Sequence, residues 1–213
     1  MAVRAEQKQK TRRSLMDAAL RQLSADRGFS NLSLREVARE AGIAPTSFYR
    51  HFTEMDELGL ALVDEAGVTL RQLMRQARKR IEKGGSAVTT SVDTFMEYLA
   101  SNATHFRLLL RERTGLSHQF RTAIKAEINH FVIELAEDLR RIGDDKQRPL
   151  DEPELLAEAM VTIVFTLGAE ALDASPKERS ALADRIKKEL RMLIYGAEAM
   201  SRIQRERNKP SSP

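Results

Sequence analysis

The feature that most constrains this chain is a stripe of apolar residues spaced by three or four positions. It consists of Leu58, Leu62, Val63, Ala66, Leu70, Leu73, Met74, Ala77 and Ile81. Residues at this spacing share one face of an α-helix, whereas a strand requires strict alternation. The stripe therefore predicts a single long helix from about Thr53 to Glu82, ended by Gly84 and Gly85 and roughly 43 Å in length.

Helical periodicity also dominates the rest of the chain, and strand-like alternation is nearly absent. Glycine, proline and polar clusters divide the sequence into nine predicted helices. They lie at about 6–26, 34–41, 45–52, 53–82, 87–101, 103–113, 118–142, 153–173 and 177–204. With 213 residues, 42% of them apolar, the chain is long enough to bury a real core. The sequence therefore predicts an all-α protein of one or two domains.

The composition excludes several classes of protein. The chain has no Cys, which excludes a disulfide framework, a cysteine zinc site and a thiol nucleophile. The start of the chain is polar and basic and lacks the apolar segment of a secretory signal. The longest uncharged run near the C-terminal half, residues 159–169, is too short to cross a bilayer. We therefore expect a soluble, cytoplasmic protein without a membrane partner.

Positive charge is concentrated in the N-terminal quarter of the chain. Residues 1–52 carry 10 Lys and Arg against 5 Asp and Glu, whereas residues 53–201 have a net charge of −4. A second basic patch with a net charge of +3 follows in residues 202–213. This asymmetry favours a polyanion as partner of the N-terminal region, although a few charges could also fall this way by chance.

Two short predicted helices joined by a glycine lie inside the basic region. Ser33 and Glu36 have the spacing of a capping box at the start of the first one. Gly42 permits a tight turn, and Pro45 suits the first position of the second helix. This arrangement predicts a helix-turn-helix, whose second helix enters the major groove of DNA.

The residue types at the start of the second short helix suit contact with DNA. Thr46 and Ser47 can hydrogen-bond to base edges, and the three side chains Tyr49, Arg50 and His51 can reach phosphates. A basic arm that can follow the DNA backbone lies upstream and comprises Arg4, Lys8, Lys10, Arg12 and Arg13. The topology alone also occurs as ordinary helix packing, so the confined charge and the polar helix start carry the prediction of DNA binding.

The same region resembles the signature of the TetR family of transcriptional repressors. The string Leu34-Arg35-Glu36-Val37-Ala38-Arg39-Glu40-Ala41-Gly42-Ile43, followed by Phe48-Tyr49-Arg50-His51-Phe52, carries the resemblance. The resemblance implies base or phosphate contacts at Ser33 and Arg35. It also implies groove reading by Pro45, Thr46 and Ser47, and phosphate contacts at Tyr49 and His51. Met55 stands where the family usually has a phosphate-binding Lys, so that contact is not expected here.

A second resemblance extends over about residues 3–200. The segments Arg71–Arg78, Lys83–Ser86, Thr94–Glu97, Phe106–Arg113 and Ala159–Phe165 resemble the FabR/DesT-type repressors of unsaturated fatty-acid synthesis. This resemblance implies a palindromic operator and an effector that is a long-chain acyl thioester, acyl-CoA or acyl-ACP. No cofactor is implied.

An acyl chain needs an apolar cavity, and its carrier needs cations at the mouth of that cavity. The apolar residues that could line it are Phe95, Met96, Leu99, Phe106, Leu109, Leu110, Phe120, Ile124, Phe131 and Leu135. Arg107, Arg111 and Arg113 could hold the phosphates of CoA. The same patterns are typical of a helical core and of a solvated helix face, so only the resemblance indicates this ligand.

We expect three regions and a homodimer. Residues 1–52 are predicted to bind DNA, residues 53–204 to bind the ligand and dimerise, and residues 205–213 to form a disordered tail. The last two helices are expected to form a four-helix bundle with a partner chain. The stripe on the last helix consists of Leu182, Ile186, Leu190, Leu193, Ala197 and Met200. It suits a partner helix and packing within the chain equally well.

The sequence leaves two rival classes, an enzyme and an adaptor bundle. Glu127 and His130 have the Glu-x-x-His spacing of di-iron bundles, but such a site needs a second copy, and the sequence has none. Nucleophile and phosphate-loop motifs are also missing. An adaptor would explain nine helices but not the coincidence of positive charge with a polar helix start. We therefore expect neither an enzyme nor a metal site.

Overall fold

The computed structural model describes residues 2–111 and 118–208. Within these residues there are nine α-helices, one 3-10 turn at Phe29–Asn31 and no strand, so the all-α prediction is confirmed. The helices are α1 (Ala2–Arg21), α2 (Leu34–Glu40), α3 (Pro45–Phe48), α4 (Met55–Glu82), α5 (Ala87–Ser101), α6 (Ala103–Arg111), α7 (His118–Asp145), α8 (Pro153–Ala171) and α9 (Pro176–Arg207).

Two predicted helix boundaries between α3 and α4 are wrong for local reasons. α3 ends at Phe48 because the next N–H groups bond three residues back, with His51 N donating to Phe48 O at 2.8 Å. The carboxylate of Glu57 accepts from the N–H of Thr53 at 2.6 Å and from its hydroxyl at 2.9 Å. These bonds fasten Thr53 in front of α4, which therefore begins at Met55.

α9 extends further than its predicted end at residue 204. It continues to Arg207, with Arg205 and Arg207 in its last turn. Cations there interact favourably with the negative end of the helix dipole, which gives the second basic patch a role in the helix itself. Residues 209–213 of the predicted tail lie outside the described residues.

The chain forms two compact units. The first contains Met1–Gln72 and Tyr98–Glu127, and the second contains Leu73–Glu97 and Ile128–Pro213. α4, α5 and α7 each contribute residues to both units. The division predicted at residue 52 concerns where DNA binding ends and ligand binding begins, not where one compact unit ends. It stays a prediction.

The first unit is built around α1, α2, α3 and the start of α4. α1 packs against α2 and α6, and α2 packs against α3. The side chains at its centre are fully buried and include Leu15, Ala18, Val37, Phe48, Leu58 and Leu62. At Gly59 the rings of Phe29 and Phe120 stack with centroids 5.2 Å apart. The missing side chain of Gly59 makes room for that pair.

The second unit is dominated by the packing of α8 on α9. Ile186 and Leu190 are buried in its core, and Leu182, Leu193 and Ala197 pack against the same core. Five members of the predicted stripe therefore pack within the chain. Met200 is different, since 68% of it is exposed.

A separate apolar face of α9 is open to solvent. Its exposed side chains are Met192, Tyr195, Met200 and Ile203, and Leu155 at the start of α8 is exposed as well. None of the helices in the described part of the chain is both long and apolar enough to span a bilayer.

Candidate functional site

The start of α2 is fixed by the predicted capping box. Glu36 N donates to the Ser33 hydroxyl at 3.3 Å, and Ser33 N donates to the Glu36 carboxylate at 3.1 Å. The Ser33 hydroxyl and N–H, followed by Arg27, lower the pKa of Glu36. Because the hydroxyl donates its proton to Glu36 at 2.7 Å, it would have to leave this carboxylate to donate to a phosphate.

The turn and the short helix after α2 present the predicted groove-reading residues. Gly42 adopts a positive φ of 71°, which L side chains rarely adopt, and its N–H donates to Arg39 O at 3.0 Å. Pro45 and Thr46 are exposed, and Ser47 is half-buried. Phe48 anchors the helix because its side chain is fully buried. This anchor leaves the polar start of α3 accessible.

Arg12 is engaged inside the unit rather than extended toward solvent. Its guanidinium donates to the carbonyl of His51 at 2.7 Å and lies 4.0 Å from the ring centroid of Phe52. A charged hydrogen bond together with a cation–π contact ties α1 to the end of the turn that follows α3. Arg12 therefore holds in place the segment from Pro45 to Phe52, which we call the recognition segment.

His51 is half-buried and is surrounded by positive charge. Its Nδ1 atom is buried without a hydrogen-bond partner among the described residues. Burial lowers the pKa of His51, and the charges of Lys8, Arg12 and Arg50 lower it further. The structure therefore brings four of the predicted DNA residues together. A phosphate nearby would oppose the effect of the cations and favour the protonated ring.

The remaining cations of residues 1–52 fall into two groups. Three arginines form ion pairs: Arg13 with Asp17 and Glu65 (2.9 and 2.7 Å), Arg21 with Glu40 (3.0 Å) and Arg27 with Glu36 (2.8 Å). The other six cations are exposed and lie outside these ion pairs: Arg4, Lys8, Lys10, Arg35, Arg39 and Arg50. This second group sets how many phosphates one chain can meet from this region without breaking one of these ion pairs. Tyr49, 63% exposed, adds a phenolic hydroxyl.

An apolar cavity of about 220 Å³ lies within the second unit. Its apolar lining consists of Leu73, Met74, Ala77 and Ile81 of α4; Ala87, Val88, Val92 and Phe95 of α5; Phe131, Leu135, Leu139 and Ile142 of α7; Met160, Val161 and Val164 of α8; and Leu190 and Ile194 of α9. The buried ring of Phe165 lies 6.2 Å from Phe95 and 5.6 Å from Phe131, centroid to centroid. These contacts hold the two lining rings in place.

Charged side chains interrupt this apolar lining. Arg78, Glu82, Asp138 and Arg141 also line the cavity. Arg78 Nε donates to one oxygen of Asp138 at 2.7 Å, and Arg141 donates to the other at 2.7 Å. Arg78 also contacts Glu134 at 3.2 Å. The cavity therefore combines an apolar interior with a cluster of paired charges.

Comparison with known protein families identifies the family to which this chain belongs. The family model "Bacterial regulatory proteins, tetR family" matches residues 15–62. The model "Tetracyclin repressor-like, C-terminal domain" matches residues 85–193, more than half of the chain. The chain belongs to the TetR family. It is a transcriptional regulator of a family whose members bind DNA and are not enzymes.

Solved structures of TetR-family regulators share the fold. The fatty acid degradation regulator FadR from Bacillus halodurans is 15% identical, with a TM-score of 0.65 over 86% of this chain and 94% of that one. A TerR/AcrR-family regulator from Aquifex aeolicus VF5 is 17% identical, with a TM-score of 0.64 over 86% and 99%. AibR, in complex with isovaleryl coenzyme A and operator DNA, is 18% identical, with a TM-score of 0.63 over 84% and 97%. At these identities the likeness establishes the fold alone.

In this TetR-family chain the predicted effector residues do not converge on one site. Phe95 and Phe131 line the cavity, whereas Met96 packs against the core of the second unit. Leu99, Phe106 and Leu109 are buried in the first unit, to which Arg107 also belongs. The side chain of Arg111 and all of Arg113 lie outside the described residues.

Sequence reasoning missed the cations that do line the cavity. Arg78 lies beside the apolar stripe of α4, and Arg141 follows Asp138 by three residues on α7. An Asp and an Arg at this spacing meet on a helix surface, which is a local signal. No local pattern in the sequence predicts that Arg78 of α4 approaches the same carboxylate, that of Asp138.

The Glu-x-x-His pair of α7 does not belong to a metal-binding group among the described residues. Glu127 accepts from Arg71 at 2.9 Å, and His130 is exposed. The described residues contain no group of three or more His, Cys, Asp or Glu placed to hold a metal ion.

Proposed function

We propose that this TetR-family regulator is a dimeric repressor that binds a palindromic operator and responds to a long-chain acyl thioester, acyl-CoA or acyl-ACP. Its targets would be genes of unsaturated fatty-acid synthesis or desaturation. One observation carries the effector part of the proposal. The apolar cavity has two arginines, Arg78 and Arg141, beside a lining made almost entirely of aliphatic and aromatic side chains.

Three features of the first unit support operator binding. The start of α3 offers Thr46 and Ser47 for base edges. Six exposed cations are available for phosphates, and Tyr49 and His51 stand beside them. In a dimer, two such units would read half-sites about 34 Å apart, one turn of DNA, or a multiple of that distance.

A salt titration tests the DNA part. Operator fragments are first selected from genomic DNA, and affinity is then measured by fluorescence anisotropy at several salt concentrations. Log affinity should fall with log salt by about 0.9 per phosphate contact. Ser47→Ala should relax base preference, whereas Lys8→Ala should weaken specific and random DNA alike. Equal losses on both DNAs for Ser47→Ala would contradict its role in reading the groove.

The exposed apolar face of α9 supports dimerisation. Met192, Tyr195, Met200 and Ile203 together form a patch that a soluble monomer would leave in water. Leu155 of α8 is exposed too, so both helices of the proposed four-helix bundle offer apolar surface.

The volume of the cavity favours a second candidate effector. A cavity of about 150 Å³ holds benzene, so about 220 Å³ accommodates roughly nine carbon atoms. A long acyl chain would need the helices around the cavity to part. A TetR-type repressor of other genes that responds to a shorter hydrophobic molecule is therefore the alternative.

Two measurements separate these effectors. Native mass spectrometry of the purified protein should show a co-purified acyl thioester and report the dimer in the same spectrum. Palmitoyl-CoA, palmitoleoyl-CoA, octanoyl-CoA and free CoA are then added to the operator complex. We expect the two long-chain thioesters to change operator affinity differently. Equal shifts would refute discrimination between the chains, and a response only to shorter chains would establish the alternative.

A further inference from the structure

A carboxylate is held between two guanidinium groups in the wall of the cavity. Asp138 accepts from Arg78 of α4 and from Arg141 of α7, both at 2.7 Å, with a different oxygen for each. The side chain of Asp138 is only 15% exposed, whereas that of Arg141 is 64% exposed. The cluster therefore joins the apolar interior of the cavity to solvent.

The geometry at Asp138 is that of a bound anion. Planar guanidinium groups present donors that match carboxylate and phosphate oxygens, and two of them converge here on one acceptor group. The acceptor belongs to the protein itself. Asp138 thus occupies the position that the anionic head of an amphipathic ligand would take if its chain lay in the cavity.

The charges of this cluster oppose a second anion as long as Asp138 remains. Arg78 and Arg141 contribute two positive charges, against which stand the carboxylates of Glu82, Glu134 and Asp138. An incoming anion would meet net negative charge unless Asp138 gave up its donors. A neutral ligand of the same size would leave the ion pairs intact.

We propose that the cavity takes a chain of about eight to ten carbons that ends in an anionic group, and that this group displaces Asp138 from Arg78 and Arg141. The inference rests on the proposed effector cavity and specifies the ligand class of the alternative with a shorter effector. Asp138 is the specificity-determining residue, because every anionic ligand must compete with it and neutral ligands need not. The anion is either a free carboxylate or a phosphate of a thioester carrier.

Isothermal titration calorimetry on the full-length protein tests this competition. The probes are octanoate, octan-1-ol and octanoyl-CoA, each titrated near neutral pH, where carboxylates are ionised. Asp138→Asn keeps the size of the side chain and removes its charge. It should raise the affinity for the anionic probe about tenfold and leave octan-1-ol unchanged. Arg78→Met should weaken the anionic probe about tenfold, again without an effect on octan-1-ol.

A matched control and a fold check accompany these variants. Asp144→Asn makes the same chemical change at an exposed position of α7 that does not line the cavity. It should behave like the wild type. Circular dichroism and thermal melting establish that each variant is folded, and Arg141→Gln gives a second loss-of-cation variant if Arg78→Met is unstable. The probe whose affinity increases in Asp138→Asn identifies the source of the anion. An increase for octanoate indicates a carboxylate, and an increase for octanoyl-CoA alone indicates a phosphate.

Several outcomes would overturn the inference. The affinities for octanoate and octan-1-ol could increase equally in Asp138→Asn, or Asp144→Asn could show the same increase in affinity for octanoate. If no probe bound any of these proteins, the inference would fail, whereas the long-chain effector of the proposed function is tested separately by palmitoyl-CoA and palmitoleoyl-CoA on the operator complex. If the affinity for the anionic probe increased as expected but the probe never altered operator affinity, the inference would stand. The proposed control of operator binding by an effector would then fail.

Discussion

At the scale of single residues, Arg12 shows why positive charge in a DNA-binding region need not meet DNA. Its guanidinium is engaged by the His51 carbonyl and the Phe52 ring. Arg12→Met keeps the apolar stem and removes both interactions, so the unfolding free energy should fall by about 1–3 kcal/mol. Thermal melting should show this as a Tm lower by several degrees.

Lys8→Met is the control for Arg12→Met, since Lys8 is exposed. It should leave Tm unchanged and reduce the salt slope of operator binding by about 1 per chain, so by about 2 for the proposed dimer. Arg12→Met should weaken operator binding with little change in that slope, because it misplaces the recognition segment. A Tm equal to that of the wild type, with a slope reduced as for Lys8→Met, would show that Arg12 is a phosphate contact instead.

We expect the ring of His51 to make operator binding depend on pH. Burial and the cations Lys8, Arg12 and Arg50 lower its pKa in the free protein. DNA phosphates would neutralise those cations and raise this pKa in the complex, so binding would take up a proton. Operator affinity should therefore increase as pH falls from about 7.5 to 5.5, the range below and around the ordinary histidine pKa of about 6.5.

Anisotropy titrations across that pH range, with the wild type and His51→Gln, measure this linkage. Glutamine does not titrate, so the variant should bind with an affinity that changes less with pH. An equal pH dependence in both proteins would mean that the proton is taken up elsewhere.

At the scale of helices, two glycines of α4 make a matched pair. A Cβ at Gly59 would lie 2.8 Å from Phe120 and 2.9 Å from Phe29, whose stacked rings have little room to move. The three atoms nearest to a Cβ at Gly67 all belong to the flexible side chain of Glu127. Gly59→Ala should therefore destabilise the protein by about 1–3 kcal/mol, although alanine is the better helix former by about 1 kcal/mol.

Gly67→Ala tests whether the loss of stability expected for Gly59→Ala arises from the Phe29 and Phe120 rings or from the substitution in the helix itself. It carries the same gain in propensity, and Glu127 can move aside at the expense of its half-exposed pair with Arg71. Its Tm should stay within a few degrees of the wild type. If both variants lost stability equally, close packing on α4 in general, and not the Phe29–Phe120 pair, would be responsible.

The same helices show what the sequence could predict. The capping box at Ser33, the turn at Gly42 and the stripe of α4 depend on residues within one or two turns, and all three are present in the structure. The cavity depends on contacts between distant segments. Phe95 and Phe106 are close in sequence and equally apolar, yet only Phe95 lines the cavity. Periodicity reveals that a face is buried, but it does not reveal which helices bury it.

At the scale of the whole molecule, charge and apolar surface are placed on different parts of the chain. The exposed cations of residues 1–52 belong to the first compact unit, whereas the cavity and the open face of α9 belong to the second. Family membership gives the first part a role in DNA binding, and the proposed function gives the second part a role in effector binding and dimerisation. The net charge of +4 for the whole chain is therefore uninformative, because it averages a basic DNA-binding region with an acidic remainder.

The open face of α9 leads to a prediction about assembly. Met192 and Met200 are 66% and 68% exposed, and burying such side chains in an interface contributes about 1.5–3 kcal/mol each. The double variant Met192→Glu/Met200→Glu would place charges in the proposed bundle without touching the core of the unit. It should be monomeric at micromolar concentration by sedimentation velocity, where the wild type should be dimeric.

Leu190→Ala separates assembly from folding, because Leu190 is buried within the chain. It should lower Tm, through a loss of about 2–5 kcal/mol, whereas the Met variant should keep its helical content in circular dichroism. Operator affinity should fall in the monomeric Met variant, since one unit alone can hold only one half-site of a palindrome. A Met variant that sedimented as a dimer would place the interface on another face, and the exposed side chains of α9 would then need a different partner.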